Sequence, residues 1–195
     1  DGDEIIVMPG TYRGFGDQVV DMKGKAVRLY SNDVLLRPII DGEGARRGIL
    51  CCSGETTSTV IEGFTVQNCS APWYDWNGDG QTDYWEYFGG GMWNRNGSSP
   101  TVLDCHFLEN VAEYGAGLYN GDEYGVPSNP TVSSCLFEDN VAGESNCIGN
   151  CGDGVGGGMY NMSSNPTITD CQFIANGAYF GGGILNWESS NPLLT

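Results

Sequence analysis

The chain has 195 residues, of which 25 are Asp or Glu and 8 are Lys or Arg, for a formal net charge of −17. A charge of that sign and size disfavours polyanionic partners such as nucleic acids and anionic membrane surfaces. An aromatic content of 11% argues against disorder, the 31 glycines lack the three-residue period of collagen, and no run of about 18 apolar residues is present to span a bilayer as a helix.

The opening stretch DGDEIIVMPGTYRG alternates Ile5 and Val7 and then turns at Pro9-Gly10, which reads as strand and turn. Further short apolar runs follow at 26–30, 39–41 and 47–50, with Asp41-Gly42-Glu43-Gly44 as a turn. The segments TVIEGFTVQN (59–68) and TVLDCHFLEN (101–110) both open with Thr-Val and close with Asn. Matching them letter for letter sets Asn68 beside Asn110 and makes the early and late coils one architecture. No composition shift marks a domain boundary, so 1–195 is expected to be a single segment. Both ends fall inside repeat phrases, which reads as part of a longer protein, and the lack of a visible leader then says little about secretion.

From Gly89 onward the repeat is plain. GGGMWNRNGSSPTVLDCHFLEN (89–110) returns as GAGLYN (115–120) with SNPTVSSCLFEDN (128–140), as GGGMYNMSSNPTITDCQFIAN (156–176), and as GGGILNWESSNPLLT (181–195). Extra residues enter at 70–88, 121–127 and 143–155, and insertions into a fixed frame are surface loops on a solenoid. Strand-length apolar runs separated by Gly, Asn, Ser and Pro, without a helical period, predict an all-β parallel β-helix of six to seven coils. Like residues then stack: Cys105, Cys135 and Cys171; Phe107, Phe137 and Phe173; Met92, Leu118, Met159 and Ile184. Asn110, Asn140 and Asn176 form one ladder at a bend whose left-handed backbone Asn tolerates, and Asn94, Asn120, Asn161 and Asn186 form a second. Trp93, Tyr119 and Tyr160, followed by Leu185, make an outward row that shields the sheet or, less simply, stacks on sugar rings.

The GGG-[MI] and GAG-L phrases, alternating with FLEN, FEDN and FIAN, resemble the paired GGA-[ILV] and F-x-x-N signatures of chlamydial polymorphic outer-membrane proteins. The resemblance covers 89–195. It implies a right-handed parallel β-helix of the pectate-lyase-like superfamily, with adhesion or surface display as its role.

The sharpest motif lies in the insertion 70–88. Asp75, Asn77, Asp79, Gly80, Asp83 and Glu86 meet the whole pattern D-x-[DN]-x-[DN]-G-x5-E of an EF-hand calcium loop. A hard cation of this size takes six to eight oxygens. Asp75, Asn77 and Asp79 wrap one side, Gln81 supplies its backbone carbonyl, Asp83 contributes directly or through water, and Glu86 closes the shell with two oxygens. Ala71-Pro72 before and the glycines after exclude flanking helices, so the loop is EF-hand-like rather than half of an EF-hand pair. The plain role is a structural staple. Trp73, Tyr74, Trp76, Tyr84, Trp85, Tyr87 and Phe88 crowd the same stretch, either packing it onto the coils or forming a contact face for carbohydrate or another surface protein.

Of the eight cysteines, Cys147 and Cys151 share one inserted loop and are expected to form a disulfide, with metal binding as the lesser reading. His106 is the only histidine, which excludes a triad or a zinc cluster built on it, and it is expected to point outward from its strand. Pectate-lyase-like solenoids include polysaccharide lyases and glycoside hydrolases, and a lyase needs an Arg or Lys base beside calcium. After residue 47 only Arg95 is basic, so it is the single weak candidate for a catalytic residue. The balance favours a non-catalytic, calcium-stabilised extracellular or cell-surface β-helix with an adhesive or structural role, end-to-end self-association of coils included; the alternative is a lyase or hydrolase of an extracellular polysaccharide.

Overall fold

A computed structural model of the chain describes residues 2–33, 35–71, 87–122, 124–143 and 154–195. Every named element among them is a β-strand. The first coil holds β1 (Asp3–Val7), β2 (Thr11–Tyr12) and β3 (Gln18–Asp21), and the second β4 (Val27–Ser31), β5 (Ile39–Asp41) and β6 (Arg47–Cys51). The third holds β7 (Val60–Glu62), β8 (Thr65–Gln67) and β9 (Met92–Asn94). The fourth holds β10 (Thr101–Leu103), β11 (His106–Leu108), β12 (Val111–Ala112) and β13 (Leu118–Asn120). The fifth holds β14 (Thr131–Ser133), β15 (Leu136–Glu138), β16 (Val141–Ala142) and β17 (Met159–Met162). In the sixth are β18 (Thr167–Thr169), β19 (Gln172–Ile174) and β20 (Ile184–Trp187), and β21 (Leu193–Leu194) opens a seventh.

Corresponding strands of successive coils pair in parallel and in register, giving three long faces along the rod. The first face runs β1-β4-β7-β10-β14-β18-β21, the second β2-β5-β8-β11-β15-β19, and the third β3-β6-β9-β13-β17-β20. This is the expected parallel β-helix with the expected number of coils. On the first two faces the middle residue of most three-residue strands points inward, as Val102, Phe107, Val132 and Phe137 do, all fully buried. Stacking at the strand spacing of about 4.8 Å sets like side chain on like. Phe107 and Phe137 lie 4.8 Å apart and 5° from parallel, and Phe137 and Phe173 4.7 Å and 3°. Rings free to choose would tilt or offset; here the backbone register holds them face to face. Met92, Leu118, Met159 and Ile184 are partners on the third face, as read from the sequence.

The bends are made by single residues. Gly63, Asp104, Ser134 and Asp170 have φ of 80°, 47°, 55° and 51° at the corner between the first two faces. Asn68, Glu109, Asp139 and Ala175 repeat this after the second face, at 48°, 52°, 52° and 54°. The left-handed residue therefore precedes the ladder asparagine, and the expectation that Asn110 and its equivalents take that conformation is corrected. The asparagine is needed for its amide. Asn140 Nδ2 donates to Asn176 Oδ1 (2.8 Å) and to the Phe107 carbonyl (2.9 Å), while its Oδ1 accepts from Nδ2 (2.9 Å) and the backbone N–H (3.1 Å) of Asn110. The second ladder, Asn94 to Asn120 to Asn161 to Asn186, has amide bonds of 2.9, 2.8 and 2.8 Å.

The register of the third coil also departs from the letters. Val60, not Thr59, pairs with Thr101, and Gln67 with Leu108. Cys69 thus takes the ladder position, its backbone N–H donating to Asn110 Oδ1 at 3.0 Å, and Asn68 is the bend residue. The reason is burial. The observed pairing turns Ile61, Phe64 and Val66 inward, all buried, whereas a slip of one residue would turn Val60, Gly63 and Thr65 inward and leave those three outside.

Cys105, Cys135 and Cys171 do form an internal row, each thiol donating to the carbonyl two residues back at 3.2, 3.3 and 3.3 Å. They are free thiols, as are Cys51, Cys52 and Cys69. Burial pushes Cys69 up to about 12. The half-buried Cys171 is pulled down to about 7, chiefly because the Cys135 thiol hydrogen-bonds to it.

Two outcomes follow. Asn140→Ala leaves the buried backbone N–H of Asn110 without its acceptor and removes the side-chain bonds to the Asn110 and Asn176 amides and the Phe107 carbonyl, and is expected to cost about 3 kcal/mol in urea unfolding; a loss below about 1 kcal/mol would contradict the ladder's role. With Cys147 and Cys151 replaced by Ser, Cys52 and Cys171 should react with an aromatic disulfide reagent in the native state and the four buried thiols only on unfolding. The Cys171 rate should climb as pH rises through about 7, because the thiolate is the nucleophile, and Cys171→Ser should abolish that phase.

Candidate metal centre and the corner that carries it

After the second face each coil passes one corner before its glycine-rich phrase. Ser70, Val111, Val141 and Gly177 are bridged from coil to coil there. The next residues, Ala71, Ala112 and Ala142, pack with Ala116 as a buried small-residue cluster against which Ala178 rests. Their size follows from the glycine phrase beside them: a Cβ on Gly90 would lie 2.3 Å from the Val111 carbonyl oxygen. Beyond the alanine the coils differ. In the fourth and sixth, two residues suffice, Glu113-Tyr114 and Tyr179-Phe180. In the third and fifth, the long insertions begin.

The proposed calcium ligands Asp75, Asn77, Asp79, Gln81, Asp83 and Glu86 lie outside the described residues, and so do Cys147 and Cys151. What the structure places is their roots. Both insertions leave the rod at the same corner, two coils apart, with Glu113-Tyr114 between them. Of the stretch 70–88, Ser70, Ala71, Tyr87 and Phe88 are built into the coils. The Tyr87 carbonyl accepts from the backbone N–H groups of Glu113 (3.1 Å) and Tyr114 (3.2 Å), and Gly89 N–H donates to the Tyr114 carbonyl (2.9 Å). Burial pushes the Glu113 carboxyl above its ordinary range. Among the described residues no group of three or more His, Cys, Asp or Glu side chains is placed to hold a metal ion.

The residue before each glycine phrase (Phe88, Tyr114, Val155, Phe180) forms a further bridged column. It folds back over the outer side of the third face, because Gly89, Gly115, Gly156 and Gly181 turn there with φ between 60° and 68°. A Cβ on Gly89 would meet the Met92 carbonyl oxygen at 2.5 Å, so only glycine fits. This column explains the fate of the outward aromatic row. Tyr119 is paired with Trp93 and Tyr160, and Tyr160 with Leu185, as the repeat predicts. Yet Trp93, Tyr119 and Tyr160 are buried with Leu50 and Phe88 in a second apolar cluster. The row shields the sheet, and no open sugar-stacking face exists at these three residues.

Two arginines meet at Trp93. The Arg47 guanidinium carbon lies 4.8 Å and that of Arg95 4.4 Å from the indole ring. Arg47 is 3% exposed. Its Nε donates to the Gly89 carbonyl at 2.9 Å and its second terminal nitrogen to the Phe88 carbonyl at 2.8 Å. Burial, with the nearby charge of Arg95 adding to it, pushes Arg47 down to about 9, so it remains a cation at neutral pH. Nothing in the sequence singled out Arg47; its partners are backbone carbonyls 41 and 42 residues away. Arg95, the weak candidate base, lies along the indole as a packing group. His106 faces outward as expected, its Nε2 3.0 Å from Glu138 Oε2 on the next coil.

No curated protein and no solved structure matches the chain significantly. The family described as a right-handed β-helix region matches residues 18–195. The register, the three parallel faces and this match agree, and the chain belongs to the right-handed β-helix family.

Proposed function

We propose that this chain is a calcium-stabilised, non-catalytic part of an extracellular or cell-surface β-helix, which displays its insertions for adhesion. The observation that carries this reading is the common corner. Two long insertions, one with a full calcium-loop pattern and seven aromatic residues at 73–88, are rooted two coils apart at a corner that the fourth and sixth coils pass with two residues. The calcium ion would be held by Asp75, Asn77, Asp79, the Gln81 carbonyl, Asp83 and Glu86, as a charge-neutralising staple for a segment that the coils alone do not template. The chemistry of that donor set, all hard oxygen, suits calcium rather than a soft metal. The acidic surface suits a cation-rich exterior. A carbohydrate or another surface protein is the class of partner that the aromatic insertion fits.

The lyase reading has less support. Its one candidate base, Arg95, is packed on Trp93, and the aromatic row that a sugar chain would stack on is buried.

Thermal unfolding with millimolar calcium and with excess EGTA, on the native chain and on Asp79→Ala, tests the staple. A site filled a hundredfold above its dissociation constant stabilises by about 2.7 kcal/mol, or roughly 5–10 °C for a domain of this size. EGTA should remove that shift from the native chain and leave Asp79→Ala unmoved. No response in either would refute calcium binding by this loop. Release of unsaturated ends from acidic polysaccharides would overturn the non-catalytic reading.

A further inference from the structure

The outer side of the first face changes character between the third and fourth coils. In the first three coils it is charged: Arg28 is paired with Glu4 at 3.0 Å and with Glu62 at 2.9 Å. From the fourth coil onward its strands and the residues leading into them carry no charge, in a chain with 25 acidic residues. The phrases NPTVS (129–133) and NPTIT (165–169) run outward, inward, outward, inward, outward, with Pro130, Val132, Pro166 and Ile168 buried. Thr131 pairs with Thr167 and Ser133 with Thr169. Hydroxyls therefore stand in two columns and exposed asparagines in a third. The fourth coil extends the array with Ser99 and Thr101 and the seventh with Asn191 and Thr195, Leu103 and Leu193 being its two apolar positions.

The array is rigid and flat. Asn129 Oδ1 accepts from the Asn165 backbone N–H at 2.6 Å, and Asn165 Oδ1 from that of Asn191 at 2.5 Å. Threonine is β-branched and stiff at χ1, so its hydroxyl and methyl keep one place. Neighbouring strands ordinarily rotate by about 20°, which would fan the columns out. Here the rings stacked inside the adjoining second face are 5° and 3° from parallel, so successive coils are shifted along the rod with almost no rotation. Among the described residues, the hydroxyls of Thr131, Ser133 and Thr167 have no hydrogen-bond partner.

A rigid, flat, uncharged net of hydroxyls suits a partner that is itself a flat, regular net. Its repeats are about 4.8 Å along the rod and about 6.6 Å across it. The prism face of ice repeats its oxygen atoms at a right angle and close to these two distances. Charged groups order water differently from ice, so their absence here in a strongly acidic chain points the same way. We propose that the outer side of the first face, from the fourth coil onward, binds ice, its hydroxyls taking the places of lattice water. A sugar chain would be gripped by aromatic rings, and these strands and the residues leading into them have none. The proposal is independent of the calcium reading.

Ice growth is followed on the native chain, on Thr131→Lys with Thr167→Lys, and on Gln67→Lys with Gln172→Lys, which puts the same charges on the outer side of the second face. Circular dichroism verifies each fold. The native chain should hold a seeded crystal unchanged over an interval below its melting point and block recrystallisation in frozen sucrose. The threonine variant should lose both effects and the glutamine variant keep both. If the lysines prevent folding, Thr131→Tyr with Thr167→Tyr, which keeps strand propensity but breaks the flatness, takes their place with the same loss expected. A native chain with neither effect overturns the proposal, as does no loss in the threonine variant or an equal loss in both. Retention of the native chain on crystalline cellulose or chitin, abolished by the threonine variant and without any effect on ice, assigns the face to a polysaccharide and overturns it as well.

Discussion

A coil of this protein cannot satisfy its own backbone. Its N–H and C=O groups point along the rod, so every coil depends on the next for its hydrogen bonds. That dependence forces corresponding residues into register, and register forces like onto like. The asparagine ladders are the sharpest consequence. In the first ladder Asn110 and Asn140 each bond the amide of the next coil while holding a carbonyl of the preceding one, so the interior carries polar side chains whose hydrogen bonds run along the rod. The phenylalanine rings stack almost parallel for the same reason.

Register also dictates where variation is tolerated. A change within a face would displace every neighbour along the column, whereas residues added at a corner disturb only the chain that leaves and returns. The corner after the alanine column is where the two longest insertions are rooted. The third face bears the cost of that choice. Its outer side is covered by Phe88 and its column equivalents, and at Trp93 by Arg47 and Arg95. Burying a guanidinium is expensive unless its donors are satisfied, and Arg47 finds the backbone carbonyls of Phe88 and Gly89 at the end of the insertion 70–88.

The fold class, the coil count, the Phe, Cys and Asn rows and the outward histidine were legible in the sequence, because a solenoid writes its own geometry as a period. In the third coil the letters misled. Thr59-Val60 looks like Thr101-Val102, yet the pairing shifts by one to bury Ile61, Phe64 and Val66. The bend was misread for a related cause: Glu109, Asp139 and Ala175 have little in common as residues, so the left-handed position carries no compositional mark, while the asparagine beside it does.

The sequence by itself determined the periodic part of this protein and carried the pattern on which the calcium proposal rests, since both depend on residues close together in the chain. Only the tertiary structure decided that the two insertions are rooted at one corner, that the aromatic row is buried, and that Arg47 is bonded to the Phe88 and Gly89 carbonyls. Those contacts join residues of different coils, about 40 or more positions apart in the case of Arg47 and Phe88. No local pattern encodes which side chain a neighbouring coil will bring to them; the stacking of the coils does.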